Sequence, residues 1–162
     1  HVTVVYPLPF NKWLSWVNPD NGETRGRRKS PRHFTEYDAF YELYKIKSYL
    51  KNPNLSINLV LMDMEEYKLL NGWSYDKKRG STRYDRVPVG IRRIVRFDRI
   101  EDYMQLVPAD LKEEFTVKDF AMAAGVSVEA SRYTLNILNY LEIVKRTGRV
   151  KNGYVYNVTE EF

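Results

Sequence analysis

"FTVKDFAMAAGVSVEASRYTLNILNYLEIVKRTGRVKNGYVYNV", residues 115–158, decides how this chain is read. Thr116 is a favourable N-cap for VKDFAMAA, because its hydroxyl can accept from a first-turn N–H that has no helical partner. Gly125 ends that helix. Ser127 caps a second, in which Ala130, Thr134, Leu135, Leu138 and Leu141 supply a buried stripe. "IVKRTG-RVKNG-YVYNV" then reads as a strand, a basic loop with two glycines, and a strand.

This order resembles the winged helix-turn-helix superfamily over about residues 100 to 158. The resemblance implies that the second helix enters the major groove and that the wing touches phosphate or the minor groove. Carried over by position, the outward side of the helix shows Val128, Glu129, Arg132, Tyr133 and Asn136. Arg132 and Asn136 are types that form bidentate contacts to base edges. Lys145, Arg146, Arg149 and Lys151 on the wing could each neutralise a phosphate. Glu129 departs from the pattern of a DNA reader by placing negative charge early in the helix.

Upstream, VTVVY (2–6) and KWLSWV (12–17) read as two strands. NPDNG follows, and Asn-Gly favours a tight hairpin turn. ETRGRRKS returns as the next strand and Pro31 stops it. Thr35 is placed to cap a helix over EYDAFYELYKIKSYL, with Phe40, Leu43, Tyr44, Ile46 and Leu50 as its apolar stripe. INLVLM (57–62) reads as a strand covered on both faces. Residues 71–86 read as a long loop or an exposed hairpin, Val87 to Phe97 with its alternating IRRIVRF as a strand, and RIEDYMQLVP as a short helix closed by Pro108. The expected fold class is α+β: a small mixed β-sheet with one long helix in residues 1–98, followed by a winged helix-turn-helix in residues 99–162.

"NPDNGETRGRRKSP" (18–31) contains the letters of the nuclease signature PD…(D/E)xK. The order of strands and helix in this half also resembles a degenerate restriction-endonuclease-like core. That family holds Mg²⁺ with acids on its second and third core strands, and a lysine positions water. Lys29 matches the lysine, but Arg27 stands where the acid belongs, and the first acid's place falls near Leu14 or Ser15. Asp20 and Glu23 lie at the hairpin tip, so PD…E is read as turn chemistry. "DMEEYK" supplies a second candidate: Asp63, Glu65 and Glu66 as metal-holding acids with Lys68, which Tyr37, Asp38 and Glu42 could complete. No cofactor is expected except Mg²⁺ under this nuclease alternative.

Net charge is +5 and the pI about 9.3, which favours a polyanionic partner. Positive charge gathers in Arg25 to Arg32, Lys77 to Arg99 and Lys145 to Lys151. With no cysteine and two histidines, the chain has no disulfide, thiol nucleophile or multi-histidine metal site. It has no glycine cradle for a nucleotide. The longest apolar run is too short to span a bilayer, so no membrane partner is expected. No secretion leader is seen, and the cysteine count fits a cytoplasmic setting; the first residue is His, as in a fragment of a longer protein. Phe40, Tyr41 and Tyr44 are read as core, whereas Trp73, Tyr75 and Tyr84 divide between core filling and stacking on unpaired bases.

"RRKSP", "TEYDAFYELYKIKSYL", "GSTRYDRVP" and the winged tail together resemble an uncharacterised bacterial family, which implies no established activity. The resulting expectation is a non-catalytic DNA-binding protein in which the wing, Arg132, Tyr133, Asn136 and the strand residues Arg27, Arg28 and Lys29 meet one polyanion. A Mg²⁺-dependent nuclease and a protein-interaction module of a larger complex are the alternatives. A homodimer or larger assembly is compatible with any of them.

Overall fold

The computed structural model describes residues 1–73, 80–151 and 153–159. Its first strand, β1 (Val2–Val17), is continuous where two strands were expected. Pro7 and Pro9 lie within it, and the φ fixed by a proline ring is compatible with extended backbone. β1 pairs antiparallel with β2 (Thr24–Lys29). The hairpin expected at NPDNG is present, but its turn is wider than two residues: Gly22 N donates to Asn18 O and Asn18 N to Glu23 O, both at 2.9 Å. The Asn18 and Asn21 side chains accept from Asp20 N and Glu23 N, so the asparagines brace the loop from within.

Gly26 in β2 has φ +65°, opposite an irregularity between Leu14 and Trp16 of β1. A Cβ there would lie 3.3 Å from the Trp16 ring. Gly26→Ala is therefore expected to cost about 2 kcal/mol, from left-handed backbone strain and the crowded ring. A lower urea midpoint in equilibrium unfolding measures it.

The single long helix expected over 36–50 is instead three short pieces. A 3-10 turn (Glu36–Ala39) leads into α1 (Phe40–Lys45), and a second 3-10 turn (Lys47–Tyr49) follows. Ile46 breaks the run at φ −111°, ψ 18°, with its N–H bonded to Leu43 O at 3.1 Å. Ala39, Phe40, Leu43 and Leu50 are buried. Tyr41 and Tyr44, read as core, are 50% and 41% exposed.

β3 (Leu55–Leu69) continues through DMEEYK to Leu69, well past Met62. β4 (Thr82–Phe97) begins earlier than expected, so Thr82–Arg86 is strand. The sheet order is β2-β1-β3-β4. Val2 N bonds Asn54 O at 2.7 Å and Leu70 N bonds Val17 O at 2.9 Å, so β1 and β3 run parallel and the sheet is mixed. A parallel neighbour needs a crossover, and residues 30–54 supply it.

A 3-10 segment (Ile100–Leu106) precedes β5 (Phe115–Thr116), α2 (Val117–Ala124), α3 (Val128–Tyr140), β6 (Val144–Val150) and β7 (Gly153–Val158). Here the local signals hold. The Thr116 hydroxyl accepts from Asp119 N, and Asp119 accepts from Thr116 N at 2.8 Å, closing a capping box. Gly125 stops α2 at φ 66°, and Ser127 Oγ accepts from Ala130 N at 3.1 Å to open α3. Thr134, Leu135, Leu138 and Leu141 are buried as read, with Ser131 and Ile137 beside them. The second sheet has order β5-β7-β6. Thr116→Ala is expected to lower stability by about 1 kcal/mol, seen as an earlier thermal midpoint.

Contacts divide the chain into two units. One holds His1–Tyr6, Glu36–Leu59 and Val95–Phe162; the other holds Pro7–Thr35 and Val60–Ile94. This differs from a cut at residue 98, because α1 packs against α3 through Tyr41 and Tyr44 on Tyr133. The first unit has a large apolar core in which the Phe97 and Tyr103 rings stack at 4.3 Å. The second buries fewer apolar side chains, among them Leu8, Leu14, Val60, Leu61 and Met64, and it also buries Glu66. Among the described residues no helix is long and apolar enough to cross a membrane.

Candidate nucleic-acid interface

In the first unit a groove of about 690 Å³ lies between the start of α2, one side of α3 and the β6–β7 hairpin. Val117, Val128, Val150 and Tyr156 give it apolar surface. Lys118, Arg132, Arg146 and Lys151 give it four cations, and among the described residues none that line it carries a carboxylate. The hairpin aims two of these cations. A register shift between Arg146 and Gly148 lets the Arg146 guanidinium lie 4.1 Å from the Tyr154 ring centroid. Arg149 lies 4.7 Å from that centroid and donates to the Tyr154 hydroxyl at 3.2 Å. Lys151 has φ 54°, which turns the chain into β7.

Of the residues expected on the outward side of α3, Arg132 and Asn136 line the groove with Val128, while Glu129 is exposed outside the lining. Tyr133 is half-buried, edge-on to Tyr41 and Tyr44 at 5.2 and 5.4 Å. Asn136 Oδ1 accepts from Lys47 Nζ at 2.9 Å. That ammonium lies 5.1 Å from the Tyr44 ring and 5.3 Å from the Tyr140 ring. One flank of α3 is thus packed on α1, and its accessible part is the N-terminal half. Of the cations expected from sequence on a wing, Arg146 and Lys151 line the groove, whereas Lys145 and Arg149 lie outside the lining.

In the second unit, Arg27 donates from Nε and Nη2 to Glu65 Oε1 at 3.0 and 2.6 Å and lies over Trp13. Lys29 also lies over Trp13, and Arg28 over Trp16. The candidate metal acids are strand residues, each tied to base. Asp63 accepts from Arg92 at 2.6 Å and from Asn11 at 2.7 Å. Glu66 accepts from Arg86 at 2.7 Å, with Lys12 at 3.4 Å and Arg83 at 3.7 Å. The Arg92 bond, helped by Asn11, outweighs burial and holds the Asp63 carboxyl below its ordinary range. Burial pushes Glu66 up, but Arg86, Lys12 and Arg83 outweigh it and its pKa is lowered. Lys68 is half-buried near the end of β3. Among the described residues no group of three His, Cys, Asp or Glu side chains could hold a metal ion. Tyr37, grouped with those acids from sequence, donates to Leu106 O at 2.9 Å in the other unit, where Asp38 and Glu42 also lie.

Lys118 and Tyr154 were missed from sequence, although each lies within a few residues of a named signal: the Thr116 cap and the wing glycines. Lys47 had no such signal, since its role depends on α1 meeting α3. Tyr75 and Lys77 to Arg79 lie outside the described residues. Trp73 and Tyr84 are 62% and 66% exposed, against a core role for either.

An uncharacterized protein of Treponema pallidum (strain Nichols) is 27% identical over 143 residues, which is 85% of this chain and 53% of that protein. The chain spans about half the length of that curated relative. No solved structure matches. A family model described as a domain of unknown function, DUF8091, matches residues 1–98, which include RRKSP, TEYDAFYELYKIKSYL and GSTRYDRVP. Because that match covers more than half of its 162 residues, the chain belongs to the DUF8091 family, a domain of unknown function.

Proposed function

We propose that this protein binds DNA without cleaving it, through the groove between α3 and the β6–β7 hairpin, and that its C-terminal segment is a winged helix-turn-helix. The observation that carries this reading is that the described lining residues include four cations and no carboxylate. A cavity of one sign concentrates an anionic ligand, and phosphate contacts supply most of non-specific affinity. The element order β5, α2, α3, β6, β7, with a turn at Gly125 between the helices, supports the winged-helix assignment. Arg132 in the exposed N-terminal half of α3 is the residue proposed to reach a base edge, and Arg146 and Lys151 are proposed to hold phosphates. Lys145, Arg149 and the β2 side chains Arg28 and Lys29 are proposed as further, separate phosphate contacts.

Fluorescence anisotropy with labelled duplex and single-stranded DNA, titrated with salt and repeated with Mg²⁺, tests it. Binding should weaken steeply as salt rises, and the DNA should remain intact. Absence of binding at low salt would remove the reading. Mg²⁺-dependent cleavage would replace it with the nuclease.

A further inference from the structure

We infer that the occupant of the groove is an unpaired strand, and that the groove favours thymine or uracil over cytosine. This rests on the reading that the groove binds nucleic acid. A duplex is read by a convex element that enters a major groove about 12 Å wide. The flank of α3 that carries Tyr133 and Tyr140 faces α1: Tyr133 packs on Tyr41 and Tyr44, and the Tyr140 ring lies beside the Lys47 and Lys51 ammonium groups. The whole helix is therefore not free to enter such a groove. The available surface is a concavity of about 690 Å³ instead. Its apolar side chains Val117, Val128 and Val150 suit the face of a base splayed from its neighbours, and its cations suit the flanking phosphates.

The base preference follows from hydrogen-bond inventory. Lys47 has only donors, so the oxygen of the Asn136 carboxamide must face it, as the 2.9 Å bond shows. The amide NH₂ is then the end left for the groove. Arg132, Arg146, Lys118 and Lys151 are donors as well. The Thr116 hydroxyl is already occupied, accepting from Asp119 N and donating to Asp119 Oδ2 at 2.6 Å. A keto oxygen meets these donors. Where thymine and uracil present O4, the 4-amine of cytosine confronts those side chains with another donor, and the mismatch discriminates strongly once water is excluded. Lys47 is thus a positioning residue that fixes which end of Asn136 a base meets.

Competition among deoxythymidine, deoxycytidine and uridine oligomers of equal length, and a blunt duplex, at one salt concentration tests the inference. The thymidine and uridine oligomers should each bind at least about tenfold more tightly than the cytidine oligomer, and more tightly than the blunt duplex. Lys47→Met should shrink the thymidine-to-cytidine ratio toward one by releasing the amide to flip, and Lys47→Arg should preserve it. Equal binding of the thymidine and cytidine oligomers, or tightest binding of the blunt duplex, overturns this inference and leaves DNA binding standing. No binding of any probe overturns both.

Discussion

Glu66→Ala is expected to destabilise the protein by about 3 kcal/mol. The Glu66 side chain is 4% exposed and is the common counterion of Arg86, Lys12 and Arg83. Removing it leaves Lys12, 18% exposed, and Arg86, 36% exposed, without that partner. Breaking a fully buried pair costs about 3 to 5 kcal/mol, and the water still reaching Arg86 and Arg83 places this case at the lower end. Glu66→Gln keeps an acceptor for Arg86 Nε and should cost about half as much. The same site sets an acid limit. Because the folded pKa lies below the ordinary 4.5, the stabilisation is complete above that value and is lost as pH falls through the folded one. Asp63, lowered by Arg92, adds to the loss in the same direction. Urea midpoints at pH 7 and at about pH 3 check this: the gap between wild type and Glu66→Gln should narrow in acid. A Glu66→Ala protein within about 0.5 kcal/mol of wild type at pH 7 would show that the strand acids are incidental.

The same residues show what the sequence conceals. Thr116, Gly125 and Ser127 are legible because a cap is made within four residues, so α2 begins and ends, and α3 begins, where the letters say. DMEEYK was read as lying past the strand because acids are poor strand formers, and nothing nearby in sequence neutralises them. Their partners Lys12, Arg27, Arg86 and Arg92 come from β1, β2 and β4, and only pairing brings them together. The segment 36–50 failed for a different reason. Its apolar residues do recur near helical spacing, but Phe40, Leu43 and Ile46 also sit three apart, and that spacing fits the tighter turns flanking α1 equally well. Tyr133 looked outward because α3 alone was considered. The two tyrosines that cover it lie far upstream. Half of the candidate site was therefore readable: the β6–β7 hairpin cations and Arg132 come from local pattern, while the Lys47 clamp on Asn136 comes from tertiary contact.

Replacing Arg132, Arg146 and Lys151 together with alanine is expected to weaken single-stranded DNA binding by about 100-fold at about 0.1 M salt. Each cation that neutralises a phosphate on a single strand contributes about 0.7 to the slope of log affinity against log salt, so Arg146 and Lys151 together remove about 1.4 from it, and Arg132 adds its lost base contact to the fall in affinity. These three side chains line the groove and are exposed, and none is the partner of a buried acid, so folding should be preserved. Lys145→Ala is the contrast. It lies on the same strand as Arg146 but outside the groove lining, and it should lower the slope by less than one. Glu129→Gln should strengthen binding by removing an exposed negative charge from the accessible half of α3. If the triple variant kept the wild-type slope while Lys145→Ala lost it, the polyanion would lie along the outside of the hairpin, and the carboxylate-free groove would have no part in holding it.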